Sequence, residues 1–74
     1  MPRINEIMCA FGKNVQQERL RQKISQEELA HKANICRTYI GMVERAERNI
    51  SLQNAKKIAD ALNITIDELL KDNE

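Results

Sequence analysis

Apolar residues recur along this chain at three- and four-residue steps between short polar corners, and that spacing predicts helices throughout. Ile4, Ile7, Met8, Phe11 and Val15 form one such stripe, continued less cleanly by Leu20, over about residues 4–22. A second segment, about 26–33, turns Leu29, Ala30 and Ala33 inward, and its small residues admit a close neighbouring helix. Ser25 precedes it and Glu28 follows three residues later, so hydroxyl and carboxylate can each take a backbone N–H of the first turn. Asn34-Ile35-Cys36 breaks the pattern. Asn tolerates the left-handed backbone that ends a helix, and an apolar Ile35 in a turn predicts a plug between two helices. A third helix over about 37–45 points Ile40 and Val43 inward. Beyond the loop Arg48-Asn49-Ile50, Ser51 caps a fourth over about 52–62, with Leu52, Ala55, Ile58, Ala59 and Leu62 as its inward face. Asn63-Ile64 closes it, and Thr65 with Glu68 opens a fifth over about 66–70. The tail 71–74 is expected to fray. Residues 1–74 thus read as a single all-α domain.

Composition narrows the class. A core built from 74 residues is marginal, so self-association is an expected source of added stability. Cys9 and Cys36 stand far apart with a single His31, too few ligands for a four-coordinate zinc site. Both cysteines are expected reduced and partly buried, and His31 is expected on a solvated helix face. No apolar run approaches membrane length and no secretory leader opens the chain, so membrane association is not expected and a cytoplasmic setting is. No nucleophile–base constellation or phosphate loop is present, and there is little room for a substrate pocket. Catalysis, a cofactor, a metal and a small-molecule ligand are therefore not expected.

The net charge is only +1, but its distribution is uneven. Residues 13–57 carry ten Lys/Arg against five Asp/Glu, and residues 58–74 carry one against five. Such a division suggests one face for an anionic partner and another that stays away from it. The two short helices either side of residues 34–36 give that partner a form. A contact-bearing first turn, Arg37-Thr38-Tyr39, braced by another helix is the geometry that lets a protein read the DNA major groove. Arg37 presents two parallel donors matching guanine O6 and N7. Thr38 offers a hydroxyl to phosphate or base and a methyl to thymine. Tyr39 can reach a phosphate or pack half-buried, and Met42, a turn beyond Thr38, can touch a thymine methyl or fill a gap.

Phe11-Gly12, Ser25-Gln26-Glu27-Glu28-Leu29-Ala30, Arg37-Thr38-Tyr39-Ile40, Glu44-Arg45 and Arg48-Asn49-Ile50-Ser51-Leu52 together resemble the Xre/Cro-type domains of phage repressors. The likeness runs from about Phe11 to Leu70. The last of these segments and the short length most resemble the controller proteins of restriction–modification systems. The resemblance implies a five-helix, lambda-repressor-like helix-turn-helix fold. It also implies a sequence-specific transcription regulator, a small homodimer binding operator DNA ahead of its own gene and the endonuclease gene.

Carried over position by position, the resemblance puts Gln26 on a phosphate. It lays the loop with Arg48, Asn49 and Ser51 along the sugar–phosphate backbone, with Arg45 a further contact. It pairs Arg19 with Glu44 as an internal salt bridge. Lys23 and Ala46 stand where the family commonly has Gly, and Gly41 where controllers commonly have Ser. One helix-turn-helix reads too few base pairs, so a two-fold pair about 34 Å apart on a palindromic operator is expected. Ile50, Leu52, Ile64, Ile66, Leu69 and Leu70 supply the self-association patch, part of them covering the monomer core. Glu27, Glu44 and Glu47 are candidates for contact with RNA polymerase. The other readings are a phage or mobile-element repressor, and a helical protein-binding module such as an antitoxin.

Overall fold

The computed structural model describes residues 4–71, with side chains from Glu6 onward. Ile4 and residues 72–74 therefore contribute nothing to the test of the first stripe or of the tail. Five helices follow one another: α1 (Ile4–Arg21), α2 (Gln26–Ala33), α3 (Arg37–Glu44), α4 (Leu52–Leu62) and α5 (Ile66–Leu70). Among the described residues there is no strand. α1 packs on α3 and α5, while α2 packs on α3 and α4.

Phe11, Val15, Leu29, Ile40, Val43, Ile58, Leu62 and Leu69 fill the space between them. Two stripes overrun this core. Ile7 and Leu20 of α1 are exposed, and Leu52, read as inward on α4, is 81% exposed. Leu52 is the first residue of its helix, ahead of the turn that meets the core.

The helix starts follow from their caps. Ser25 Oγ accepts from Glu28 N at 3.0 Å while Ser25 N donates to Glu28 Oε1 at 3.1 Å. Thr65 and Glu68 repeat the exchange at α5, and Ser51 Oγ accepts from Asn54 N at 3.1 Å at α4.

One corner device closes four helices. Lys23, Asn34, Ala46 and Asn63 all have φ near +60°. In each case the next residue's N–H returns to a carbonyl five residues back: Ile24 to Arg19, Ile35 to Ala30, Glu47 to Met42 and Ile64 to Ala59. These bonds satisfy carbonyls that a helix end leaves open. Ile24, Ile35 and Ile64 then turn half-buried onto the core. Asn suits this backbone, whereas Ala strains in it by roughly 1 kcal/mol. Ala46→Gly should therefore raise the melting temperature by about 2–6 °C, the added freedom of the unfolded chain offsetting part of the gain. A lower melting temperature would contradict the strain.

Two polar side chains, Asn14 buried and Gln22 half-buried, finish the framework. Asn14 Nδ2, on α1, donates to Leu69 O at 2.8 Å and Lys71 O at 2.7 Å, closing the end of α5. Gln22 Nε2 donates to Leu62 O at 2.7 Å, closing α4.

Candidate nucleic-acid interface

α3 lies against α1 and α2 through Ile40 and Val43, both buried. At roughly 100° per residue, that leaves Arg37, Thr38, Gly41, Met42 and Arg45 around the opposite side. Arg37, Thr38 and Arg45 are exposed and Met42 is half-buried. Arg37 forms no ion pair among the described residues. Its charge at a helix N-terminus is unfavourable against the helix dipole, so an outward anionic or electronegative ligand is what would make it useful.

A single carboxylate sets the position of this helix. Glu44 at the end of α3 has a side chain 2% exposed. Its Oε2 accepts from Arg19 Nε at 2.7 Å and its Oε1 from Arg19 Nη2 at 3.1 Å. The remaining Arg19 nitrogen, Nη1, donates to Ile24 O at 3.0 Å. Oε1 also accepts from Gln26 Nε2 at 3.0 Å. Glu44 therefore ties α1, the first residue of α2 and the end of α3 together. Its place as a polymerase contact must be corrected: the carboxylate is inside and fully engaged. Glu27 and Glu47 remain exposed.

Gln26 is half-buried with its amide held by Glu44. What it can give an outside phosphate is its second amide N–H and the backbone N–H groups of the opening turn of α2, aided by the dipole.

Tyr39 sits half-buried against the core, and the Arg48 guanidinium lies 5.8 Å from its ring centroid. The attraction between cation and ring face sets Arg48 beside the start of α3. Asn49 and Ser51 are exposed next to it. The Ser51 oxygen is used as a cap, so its hydroxyl proton and the first backbone N–H groups of α4 are what the loop can offer a phosphate. Arg45 Nε meets Glu47 Oε2 at 3.1 Å in an exposed pair.

Cys36 is the N-cap of α3 and, like Cys9, is free and exposed rather than partly buried. A residue that caps a helix projects at its mouth, which explains the exposure. The backbone N–H groups of Thr38 and Tyr39, then the Thr38 hydroxyl, favour the thiolate and hold the Cys36 pKa below the ordinary thiol value. No hydrogen bond of normal geometry completes the cap, so the effect is that of nearby dipoles. His31 is exposed.

The residues read as a self-association patch divide. Leu69 is fully buried and must be reassigned to the monomer core, where α1 and α5 close over it. Ile64 is half-buried beside the corner before α5 and lines a shallow recess with Asn14, Gln17 and Glu18. Ile50, Leu52, Ile66 and Leu70 instead line one apolar groove, with Ile7, Met8 and Phe11 of α1 as its other wall. The α1 residues carried the signal in their stripe, which was longer than the core needed.

Among the described residues no group of acidic, Cys or His side chains could hold a metal ion, and no helix is long and apolar enough to cross a membrane.

Comparison with known proteins places this geometry. A family model described as helix-turn-helix matches residues 15–69. The control protein C.BamHI of Bacillus amyloliquefaciens is 45% identical over 67 residues, covering 89% of this chain and 83% of that protein. The crystal structure of the restriction–modification controller protein C.AhdI from Aeromonas hydrophila superposes with a TM-score of 0.81 at 42% identity, over 84% of this chain and 94% of that one. The controller protein C.Esp1396I, solved as a tetramer with its natural 35 base-pair operator, superposes with a TM-score of 0.76 at 30% identity, over 88% of this chain and 96% of that one. The chain belongs to the helix-turn-helix family, among the controller proteins of restriction–modification systems.

Proposed function

We propose that this protein is a sequence-specific transcription regulator that binds a palindromic operator as a homodimer and controls its own gene and that of the accompanying endonuclease. The observation that carries this reading is the outward face of α3, with Arg37 at its head exposed and in no ion pair among the described residues, and Glu44 locked at its foot. Arg37 reads base edges, with Thr38 and Met42 beside it. Gln26, Tyr39, Arg48, Asn49 and Ser51 take the phosphates on either side.

The apolar groove between α1, α4 and α5 supports pairing with a second copy. Leu52 is 81% exposed, and Ile7 and Leu70 are each more than two-fifths exposed, which is costly for so small a domain to leave in water. RNA polymerase contact, if the bound dimer activates, falls to Glu27 and Glu47 on the exposed side.

A gel-shift with DNA from upstream of the protein's own gene tests the reading, with sedimentation of the complex giving its stoichiometry. Binding no tighter than to random duplex would end it. Arg37→Ala should relax sequence preference, a bidentate arginine–guanine pair discriminating by about 1–3 kcal/mol. Arg48→Ala should weaken all sequences alike and lower the salt slope by about 1. Equal loss of preference from both variants would contradict this division of roles.

A further inference from the structure

Arg37, Gly41 and Arg45 follow one another at four-residue steps, which places the first two along one stripe on the outward side of α3 and Arg45, its C-cap, at the end of that stripe. The middle member has no side chain, yet it is buried. What covers it is the end of Arg45. A Cβ built on Gly41 would stand 3.1 Å from Arg45 Nη1 and 3.8 Å from Arg45 Cζ, with Gln26 Oε1 at 3.7 Å.

The cause is general. Side chains on a helix lean toward its N-terminus and lie over the preceding turn. Arg45 therefore folds back from the C-terminal end of α3, and the missing Cβ at 41 leaves room for the tip of its guanidinium there. Among the described residues only Nε of Arg45 is paired, to the exposed Glu47 carboxylate. A pair this exposed holds weakly and leaves both Nη donors for an outside acceptor.

We propose that Gly41 is a specificity-determining position: its missing side chain seats the Arg45 guanidinium at the middle of the stripe, where it reads a second base pair beside the one read by Arg37. The seat turns Arg45 from a phosphate contact at the rim of the groove into a second planar fork for guanine O6 and N7. This rests on the DNA-reading function proposed above. A Cβ at 41 crowds the guanidinium at 3.1 Å and moves it off this seat, enough to spoil the alignment that a bidentate base contact needs.

The test is selection from a randomised double-stranded DNA library. Affinities are then measured for the preferred sequence and each single base-pair change, for the wild type, Gly41→Ala, Arg45→Ala, Arg45→Lys and the Gly41→Ala/Arg45→Ala double variant. Gly41→Ala should melt no lower than wild type, because the colliding atoms are the far end of a flexible side chain. It should lose roughly tenfold discrimination at one base pair per half-site, and Arg45→Ala should lose it at the same pair. The double variant should lose no more than either single one, and Arg45→Lys should not restore the preference. Full discrimination by Gly41→Ala, additive losses in the double variant, or a uniform weakening by Arg45→Ala would overturn the proposal while leaving the regulator reading intact. A wild type that selects no sequence would overturn both.

Discussion

Glu44→Ala should unfold a large part of the population near body temperature. The substitution leaves the Arg19 guanidinium in place, its side chain 10% exposed, with a single remaining acceptor at Ile24 O. Breaking one half of a buried ion pair costs about 3–5 kcal/mol, because the surviving charge stays out of water without its counterion. A single core in a domain of this size rarely supplies more than about 3–5 kcal/mol, and each kcal/mol lost lowers the melting temperature by about 4–8 °C. A drop of about 15–30 °C in a circular-dichroism melt is expected. Gln26 loses its acceptor in the same step, so operator affinity should fall further than the folded fraction accounts for. Replacing both charges, as Arg19→Met with Glu44→Leu, should recover much of the stability, since an apolar pair of similar volume removes the desolvation cost altogether. It should not recover the operator affinity, because Gln26 remains untethered. A melt of Glu44→Ala within a few degrees of wild type would show that the pair is not the brace described.

Gly12→Ala should be nearly as damaging, for a reason unrelated to charge. A methyl group at this point of α1 would stand 2.2 Å from Val43 O and 3.1 Å from Glu44 O. Both are backbone atoms of α3, and neither can swing aside as a side chain would. The two helices must part, so the usual gain of about 1 kcal/mol for Ala over Gly within a helix is outweighed. Overpacking of this kind costs about 1–3 kcal/mol, occasionally more, and here the displaced element is the one bearing Arg37. Urea denaturation should give a lower midpoint at unchanged slope, and operator binding should weaken in the fraction that remains folded. The same methyl at Gly41 meets only flexible side-chain ends and serves as the control. Equal stability of the two alanine variants would refute the close approach.

Much of this arrangement was legible in the chain because its signals are local. Ser25 with Glu28 and Thr65 with Glu68 mark helix starts within four residues, and Asn34 and Asn63 mark helix ends through their tolerance of a left-handed backbone. The expected helices 4–22 and 37–45 each run one residue past those observed, where the backbone is already leaving the helix. What was not legible depends on distance. Nothing around Asn14 announces that its amide will close a helix 55 residues away, and nothing around Gly12 announces a carbonyl of α3. Leu52 and Ile7 show the opposite failure. Their period matched a core stripe, but period cannot tell a residue facing its own core from one left facing outward. Leu69 was misassigned on the same ground, since Leu69 and Leu70 are equally apolar and only packing separates the fully buried one from the exposed one.

Four connections join the described helices, each carrying the same left-handed corner, and three of them are three or four residues long. The fourth, residues 45–51, has seven and carries Arg48 and Asn49. Lineages of such domains thus have one place to drift in length without disturbing the helices. Insertions and deletions there would shift Arg48 and Asn49 relative to α3 while the packed helices are left alone.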